Sequence, residues 1–354
     1  MRVLVEILHP AHVHFFKNAI SHWQARGDEV LVLSREKDVA NALLDATGIA
    51  YRSISQLGKK KFSLVGEMLV RDVRMWSAAR SFRPDVLVGI MGVTIVQVGK
   101  LIGKPAIVFY DTENATITNR FVYPLAHSVC TPECYAAPVN GRHVTYPSYH
   151  ELAYLHPRRF TPDPEIVRQG GIDPHQPYFI LRFVSWQASH DVGERGFDLS
   201  SKLRLVALLE RHGRVLISSE HALPKELERY RFSAPVQHIH HFIAHARMLM
   251  GESATMASEA AVLGVPAFYI ADTGRGYTDE LESKYGLVFN FKLDAFERAI
   301  TRVEELLGDP HLSATFAARR QKMLSERTDA TSWVVDYVDQ VAKERKTGFS
   351  PPIF

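Results

Sequence analysis

The stretch from Gly251 to Ile270 reads "GESATMASEAAVLGVPAFYI" and holds the pattern that decides the fold. Its first half is small and polar, with one acid, Glu259, among alanines. Its second half is an apolar run interrupted by Gly264 and Pro266. This order predicts a tight turn entering a helix and then a buried strand, which is a repeating unit of parallel α/β sheets.

The same alternation of strand and helix runs along both halves of the chain. In the first half, the apolar strands "RVLVEIL", "EVLVLS", "DVLVGI" and "PAIVFYD" are separated by segments with helical spacing. In the second half, the alternation restarts with "YFILRFVS" and "RVLISS". Strands this apolar, separated by helices, indicate parallel sheets that are covered on both faces.

The length of 354 residues exceeds the size at which a single core stops growing, so two domains are expected. Prolines and adjacent glycines interrupt the pattern near the middle of the chain. We predict an N-terminal domain over 1–150, a linker over 151–176 and a second domain over 177–325. A C-terminal helix is predicted over 326–354, where it can pack back on the N-terminal domain.

Composition limits the possible functions. With 46% hydrophobic residues, 23% charged residues and a net charge of +3, the chain is of the globular class and lacks the excess charge of a nucleic-acid binder. The two cysteines, Cys130 and Cys134, have no second pair with which to complete a zinc site, so no metal is expected. The first segment lacks the apolar core of a signal peptide, and a cytoplasmic location is therefore expected.

In the predicted first domain, polar side chains follow two strands. His9, His12 and His14 lie in or just after the loop that follows the first strand, where a neutral imidazole can remove a proton from a hydroxyl. Helix capping or packing would also explain them. The loop after "PAIVFY" has more polar side chains than the capping of a helix needs. It adds five candidate substrate contacts: Asp111, Glu113, Asn114, Thr118 and Asn119.

In the predicted second domain, the helix that begins near Ser253 has unpaired amides suited to a diphosphate. Ser253, Ala254, Thr255 and Met256 are the candidate phosphate contacts. Glu259, further along this helix, can accept hydrogen bonds from a ribose, although a structural cap or salt bridge explains it equally well. The remaining candidates for the donor are Arg182, Ser185, Gln187, His190 and His240.

The segment "ESATMASEAAVLGVPAF" resembles the donor-binding motif of the GT-B glycosyltransferase superfamily, especially of the transferases that add N-acetylglucosamine to the lipid-linked peptidoglycan precursor. "AHVHFF" falls where that family has a glycine-rich loop with a histidine. "PAIVFYDTENATITNRF" is similar to its acceptor-side loop. The resemblance covers nearly the whole chain in order and implies a GT-B fold: α/β, with two Rossmann-like doubly wound domains and a cleft between them.

By this resemblance, Glu259 binds the donor ribose and the amides of residues 253–256 bind its diphosphate. His12 acts on the acceptor hydroxyl, and Glu113 and Asn114 match the acceptor-side loop. Apart from the resemblance, Glu113 and Asp111 are further candidates for catalysis. The chain departs from the family pattern where Pro10 and Ala11 replace a glycine pair, and where Glu252 replaces a glycine. Glu252 would repel a phosphate unless it points away.

The expected function is metal-independent transfer of a sugar from a nucleotide-diphosphate donor, UDP being the expected nucleotide, to an acceptor hydroxyl in polysaccharide or glycolipid synthesis. No cofactor is expected, because the nucleotide-sugar is a substrate. One alternative is a non-hydrolysing UDP-N-acetylglucosamine 2-epimerase, which would use Asp111, Glu113 and His190 as acids and bases. Another is a nucleotide-sugar-binding protein without catalysis.

A basic and apolar segment, "LGKKKFSLVGEMLVRDVRMW", raises the question of membrane contact. Its run of Lys59, Lys60 and Lys61 beside apolar residues suits weak peripheral binding to anionic lipid at the inner face of a membrane. A lipid-linked acceptor would make such contact useful. Such runs are more often solvated loops, and we favour that interpretation of this segment.

Overall fold

The computed structural model describes residues 1–36, 39–56, 61–184, 196–219 and 222–347. The chain divides into two compact units. Unit 1 consists of Met1–Arg159 and Thr328–Phe354, and unit 2 consists of Phe160–Arg327. The chain therefore leaves unit 1 within the predicted linker and returns to it for its last helix.

Seven strands of the described chain form the sheet of unit 1, and all neighbouring strands are parallel. They are β1 (Arg2–Ile7), β2 (Glu29–Glu36), β3 (Tyr51–Gln56), β4 (Val86–Ile90), β5 (Ala106–Phe109), β6 (Ser128–Pro132) and β7 (His143–Tyr146). Their spatial order is β3-β2-β1-β4-β5-β6-β7, so the succession of strands reverses direction between β1 and β4. Val3, Leu4 and Val5 are fully buried, as expected for a sheet covered on both faces.

The helices of unit 1 that precede residue 160 are α1 (Pro10–Ala25), α2 (Ala40–Ala46), α3 (Lys61–Phe82), α4 (Val93–Ile102), α5 (Thr116–Val122) and α6 (Leu152–Leu155). Pro10 is suited to the first position of α1, because an N–H at that position has no acceptor within the helix and proline lacks one. The ring of His9 caps this helix by accepting the N–H of Ala11 at 3.2 Å. The loop after β1 thereby becomes a fixed turn at the carboxyl edge of the sheet.

Unit 2 has a smaller sheet with the same parallel construction, in the order β12-β11-β10-β8-β9. Its strands are β8 (Tyr178–Phe183), β9 (Arg214–Ser219), β10 (Met248–Gly251), β11 (Ala267–Ile270) and β12 (Val288–Phe291). Its helices are α7 (Pro164–Gln169), α8 (Leu199–Glu210), α9 (Ile239–His245), α10 (Ala254–Leu263), α11 (Gly276–Ser283), α12 (Phe296–Leu307) and α13 (Leu312–Glu326). Short 3-10 turns occupy Lys225–Tyr230, Val236–His238 and Leu293–Ala295. The turn, helix and strand predicted for the stretch 251–270 are present as α10 and β11.

The last helix, α14 (Ala330–Thr347), completes unit 1 by packing against α1 and α6. The ring of Trp333 stacks on Tyr146 with 4.7 Å between centroids. Thr331 Oγ1 donates a hydrogen bond of 2.7 Å to the carbonyl of Ala153, which ties the start of α14 to α6. Within the described residues, no helix combines the length and apolar composition needed to cross a membrane.

The side chain of Glu6, near the end of β1, is fully buried within unit 1. Burial raises the pKa of this carboxyl from its ordinary 4.5 to about 7. Arg71 opposes this rise, Asp72 adds to it and Arg35 opposes it. The folded protein therefore holds a proton on Glu6 at pH values where the unfolded chain has released it.

The difference between the pKa of Glu6 in the folded and in the unfolded protein predicts that stability changes with pH, and that this change is lost when Glu6 is replaced. Because the pKa of Glu6 is higher in the folded state, its contribution is present below pH 4.5 and is lost as the pH rises through 7. Between pH 5 and pH 8 the stability of Glu6→Gln should therefore rise relative to wild type by about 2 to 3 kcal/mol. Urea unfolding at the two pH values measures this change, with Glu29→Gln, at the exposed start of β2, as the control. An equal difference in the free energy of unfolding between Glu6→Gln and wild type at pH 5 and pH 8 would contradict the prediction.

Candidate functional site

The N-terminus of α10 lies directly after β10, at the carboxyl edge of the unit 2 sheet. Ser253 caps the helix, and its Oγ accepts the N–H of Met256 at 3.3 Å. The amide of Met256, one of the predicted phosphate contacts, is therefore already bound. The amides of Ala254 and Thr255 have no acceptor within the helix, as is general for a first turn.

Glu252 does not point along the first turn of α10. Its side chain is buried, and its two carboxylate oxygens accept the N–H groups of Val184 at 2.9 Å and Phe197 at 2.5 Å. In this orientation the carboxylate of Glu252 does not face a phosphate at the first turn of α10, so the repulsion expected from the sequence does not arise. The carboxylate joins two points of the chain, just after β8 and just before α8.

Gly251, the residue before Glu252, is required by the close approach of β8. A Cβ atom at this position would clash with the backbone carbonyl oxygen of Arg182. Arg182 itself lies in β8 and donates from Nη1 to Ser218 Oγ at 3.0 Å. The other predicted donor residues of this loop, Ser185, Gln187 and His190, lie outside the described residues.

Glu259 is buried and paired. Only 5% of its surface is exposed, and its Oε1 accepts a hydrogen bond of 2.9 Å from Nε2 of His240, which is 2% exposed. Because α9 packs against α10, the two predicted donor residues meet inside unit 2. Glu259 is thus not an open carboxylate but one that is oriented by a buried imidazole.

In unit 1, each of the three predicted histidines has a defined environment. His9 caps α1, and the His14 ring stacks on Tyr154 with 5.0 Å between centroids. His12 accepts the N–H of Leu8 at Nδ1, at 3.2 Å. A backbone N–H can only donate, so a neutral His12 ring must hold its proton on Nε2. In this state Nε2 is a donor and not a base.

The carboxylate of Asp111 contacts a histidine that the sequence did not single out. Asp111 Oδ2 lies 3.0 Å from Nδ1 of His150, and Oδ1 accepts from Thr112 Oγ1 at 3.0 Å. Burial alone would raise the pKa of Asp111, but the charge and hydrogen bond of His150, with further effects of Thr112 and His12, lower it to about 2. Asp111 is therefore ionised throughout the neutral range.

Aromatic rings surround His150, the partner of Asp111. Its ring packs at 4.4 Å from the ring of Phe15 and lies parallel to the ring of Tyr146 at 6.4 Å. Its Nε2 is buried without a hydrogen-bond partner among the described residues. Nδ1 must carry a proton to donate to the carboxylate, and His150 thereby fixes the orientation of Asp111.

The other predicted residues of the acceptor loop are less closely gathered. Glu113 turns toward the chain after β6, where Oε1 accepts the N–H of Ala136 at 3.4 Å. Asn119 is buried in α5, while Asn114 and Thr118 are half-buried. Within the described part of the chain, no group of three or more His, Cys, Asp or Glu side chains is arranged to hold a metal ion.

Two comparisons of the sequence find similar proteins. Residues 1–140 match a family model described as "Protein of unknown function (DUF354)". The uncharacterized protein MJ0665 of Methanocaldococcus jannaschii is 23% identical, over 75% of this chain and 80% of that protein.

Three solved structures cover nearly all of the chain. The spinosyn forosaminyltransferase SpnP has a TM-score of 0.65 at 15% identity, covering 97% of this chain and 100% of its own. The spinosyn rhamnosyltransferase SpnG, complexed with thymidine diphosphate, has a TM-score of 0.61 at 14% identity, with 98% and 99% covered. MurG of Acinetobacter baumannii has a TM-score of 0.58 at 16% identity, with 96% and 100% covered. The fold is therefore GT-B, with two Rossmann-like units, as the sequence predicts.

The buried pair in unit 2 predicts a stability difference between two substitutions of one residue. Glu259→Ala leaves the Nε2–H of His240 buried without its acceptor, whereas Glu259→Gln keeps an acceptor oxygen. We expect the alanine variant to be less stable than the glutamine variant by about 1 to 3 kcal/mol, although alanine is the better helix former. Urea unfolding measures the difference. Equal stability of the two variants would show that the pair contributes nothing to the fold.

Proposed function

We propose that the protein is a metal-independent glycosyltransferase that moves a sugar from a nucleotide-diphosphate donor, UDP-linked in our proposal, to an acceptor hydroxyl. The observation that supports this best is the first turn of α10 within a GT-B fold. This turn follows a strand end, presents the amides of Ala254 and Thr255, and is preceded by a carboxylate that is turned to other partners.

In the proposed donor complex, the diphosphate lies at the N-terminus of α10. The amides of Ala254 and Thr255 and the positive end of the helix dipole bind it, and they also stabilise the leaving diphosphate. This stabilisation takes the role that a divalent cation has in other transferases. Glu259 binds the ribose hydroxyls, with His240 holding its carboxylate in place. SpnG, whose structure contains thymidine diphosphate, supports a nucleoside diphosphate as the ligand class.

On the acceptor side, the tautomer of His12 favours Asp111 over His12 as the base. Asp111 is oriented by His150 and partly exposed, so its carboxylate can accept a hydrogen bond from the acceptor hydroxyl. Because its pKa is low, it takes the proton only as the new bond forms and the hydroxyl becomes acidic. As the acceptor oxygen bonds to the anomeric carbon, the bond from that carbon to the diphosphate breaks and the proton passes to Asp111. His12 donates its Nε2–H to a substrate oxygen.

Release of nucleotide from a panel of UDP- and TDP-sugars tests this function, with water replacing the unknown acceptor. We expect release to persist in EDTA and to fall by about 100-fold or more in Asp111→Asn. His12→Asn is the matched variant, because its amide can accept the Leu8 N–H and still donate, and it should retain more activity than Asp111→Asn.

Three outcomes would contradict the proposal. A larger loss of nucleotide release in His12→Asn than in Asp111→Asn would indicate that His12 is the base. Conversion of one sugar into another without an acceptor would indicate an epimerase. Nucleotide-sugar binding with no turnover would indicate a binding protein.

We also propose weak contact between unit 1 and anionic lipid, which would suit a lipid-linked acceptor at the inner face of a membrane. On α3, Leu69, Val70 and Val73 are 59%, 45% and 63% exposed. Lys59 and Lys60, which precede this helix, lie outside the described residues. Exposed apolar side chains on a helix can enter the surface of a bilayer, and in the sequence a basic run precedes these residues.

Vesicle flotation tests this contact. The double variant Leu69→Ser, Val73→Ser should bind phosphatidylglycerol vesicles about tenfold more weakly than wild type, because two apolar side chains no longer enter the lipid. Leu203→Ser on α8, which removes a 37% exposed leucine from unit 2, is the control. Absence of wild-type binding at low salt would overturn the proposal.

A further inference from the structure

The outer surface of α8, in unit 2, carries a stripe of exposed apolar side chains. Leu199, Leu203 and Ala207 follow one another at four-residue spacing, which places them on one side of the helix. Leu199 is 40% exposed, Leu203 is 37% exposed, and Ala207 is also exposed. Leu205 and Leu209 are fully buried on the opposite side. The helix therefore has one apolar side packed on unit 2 and a second apolar stripe at the surface.

An open groove of about 380 Å³ lies beside this stripe, between α8 and α12. Both apolar and charged side chains form it: Arg204, Ala207, Leu208, Arg211, Ile300 and Glu304. Ala207 belongs to the stripe and to the groove, and its small side chain leaves the groove open on that side. Leu203, which is much larger, lies one helical turn before it. A protruding side chain and a groove are thus neighbours on the same face of unit 2.

The charges around the groove are balanced. Arg204 of α8 forms a bidentate ion pair with Glu297 of α12, and Arg211 lies 3.7 Å from Glu304. Because each arginine is matched by a glutamate, the groove offers no net attraction to an anionic membrane or to a nucleic acid. An apolar stripe flanked by charges of both signs is instead suited to another protein surface.

The stripe is complementary in shape to a second copy of itself. When two α8 helices pack antiparallel about a two-fold axis at the level of Leu205, Leu203 of one copy lies opposite Ala207 of the other. The axis repeats every contact, so this pairing of a large with a small side chain occurs twice. In each contact the leucine enters the groove beside the alanine, as side-chain ridges enter grooves between packed helices.

The two ends of α8 are complementary in charge in the same arrangement. Asp198 caps the start of the helix, where its Oδ1 accepts the N–H of Ser201 at 2.7 Å and its Oδ2 lies outside this bond. Arg211 caps the other end, and its ion pair with Glu304, at 3.7 Å, is too long for a hydrogen bond. Antiparallel packing brings Arg211 of each copy close to Asp198 of the other. It also sets the two helix dipoles in opposite directions, which is favourable.

We propose that the outer face of α8 is the interface of a symmetric dimer of this protein. The interface is small, because α8 has 12 residues and is about 18 Å long. One such helix pair buries less than the roughly 1,200 Å² of a stable complex, so the dimer is weak, with a dissociation constant on the order of 100 µM. At the far lower protein concentrations of vesicle flotation the protein is monomeric, and Leu203→Ser remains a control there. The dimer does not depend on the proposed transferase function.

Sedimentation equilibrium at protein concentrations from about 5 to about 500 µM tests the dimer. The average mass of the wild type should rise from that of the 40.0 kDa monomer toward twice this value. Ala207→Glu should raise the dissociation constant at least about tenfold, because a charged side chain would occupy the groove opposite Leu203 of the other copy. The variant should fold, since Ala207 is exposed and glutamate is a good helix former. Ala317→Glu, the same change at an exposed position of α13, is the matched control and should associate as wild type does.

Cysteine cross-linking under a mild oxidant, with Cys134 replaced by serine, tests the antiparallel arrangement. A mixture of Leu203→Cys and Ala207→Cys should form a disulfide between the two variants, because these positions face each other across the axis. Each variant alone should cross-link about tenfold less, since its two cysteines are offset by about 6 Å along the helices.

A wild type that stays monomeric at all concentrations overturns the proposal, as does a folded Ala207→Glu that associates as tightly as the wild type. Cross-linking of the single variants that equals that of the mixture would likewise overturn the pairing of Leu203 with Ala207.

Discussion

All strands within each sheet run in one direction, and this constraint determines where chemistry can occur. Carboxyl ends of parallel strands share one edge, so the loops that follow them bring distant residues together. His12 follows β1, Asp111 follows β5 and His150 follows β7 in unit 1. In unit 2, Glu252 and the first turn of α10 follow β10. The parallel topology alone therefore places the candidate groups of each unit at the carboxyl edge of its sheet.

The partners of the acidic residues then decide what each acid can do. Glu252 is bound by two backbone amides and Glu259 by a buried imidazole, so neither is an unsatisfied charge near α10. Asp111 is also paired, yet it remains partly exposed and fully ionised. Glu6 differs from all three, because its oxygens have no partner within the described residues. These acidic residues are of similar type, and it is their hydrogen-bond partners that distinguish a structural role from a role in binding or catalysis.

The sequence predicted the features that depend on local pattern. The apolar strands and the small-residue turn that enters a helix near Ser253 are encoded by neighbouring residues, and both are present. The start of α1 at Pro10 was not predicted, and it places His12 and His14 within the helix. Pairs that depend on tertiary packing were not predictable: His240 and Glu259 are 19 positions apart, and Asp111 and His150 are 39 apart. Glu6 did leave a signal, since it is the one acid within the apolar strand "RVLVEIL". The tautomer of His12 depends on a single backbone contact that no sequence pattern encodes.

The proposed function depends on the first turn of α10 binding a nucleoside diphosphate without a metal ion. Titration of UDP into protein labelled with ¹⁵N-alanine and ¹⁵N-threonine, in the presence of EDTA, reports this binding through the amide resonances. We expect saturable shifts that are largest for Ala254 and Thr255, because their N–H groups would donate to the phosphate oxygens. Unchanged resonances of both residues at saturating UDP, or shifts that require a divalent cation, would contradict it.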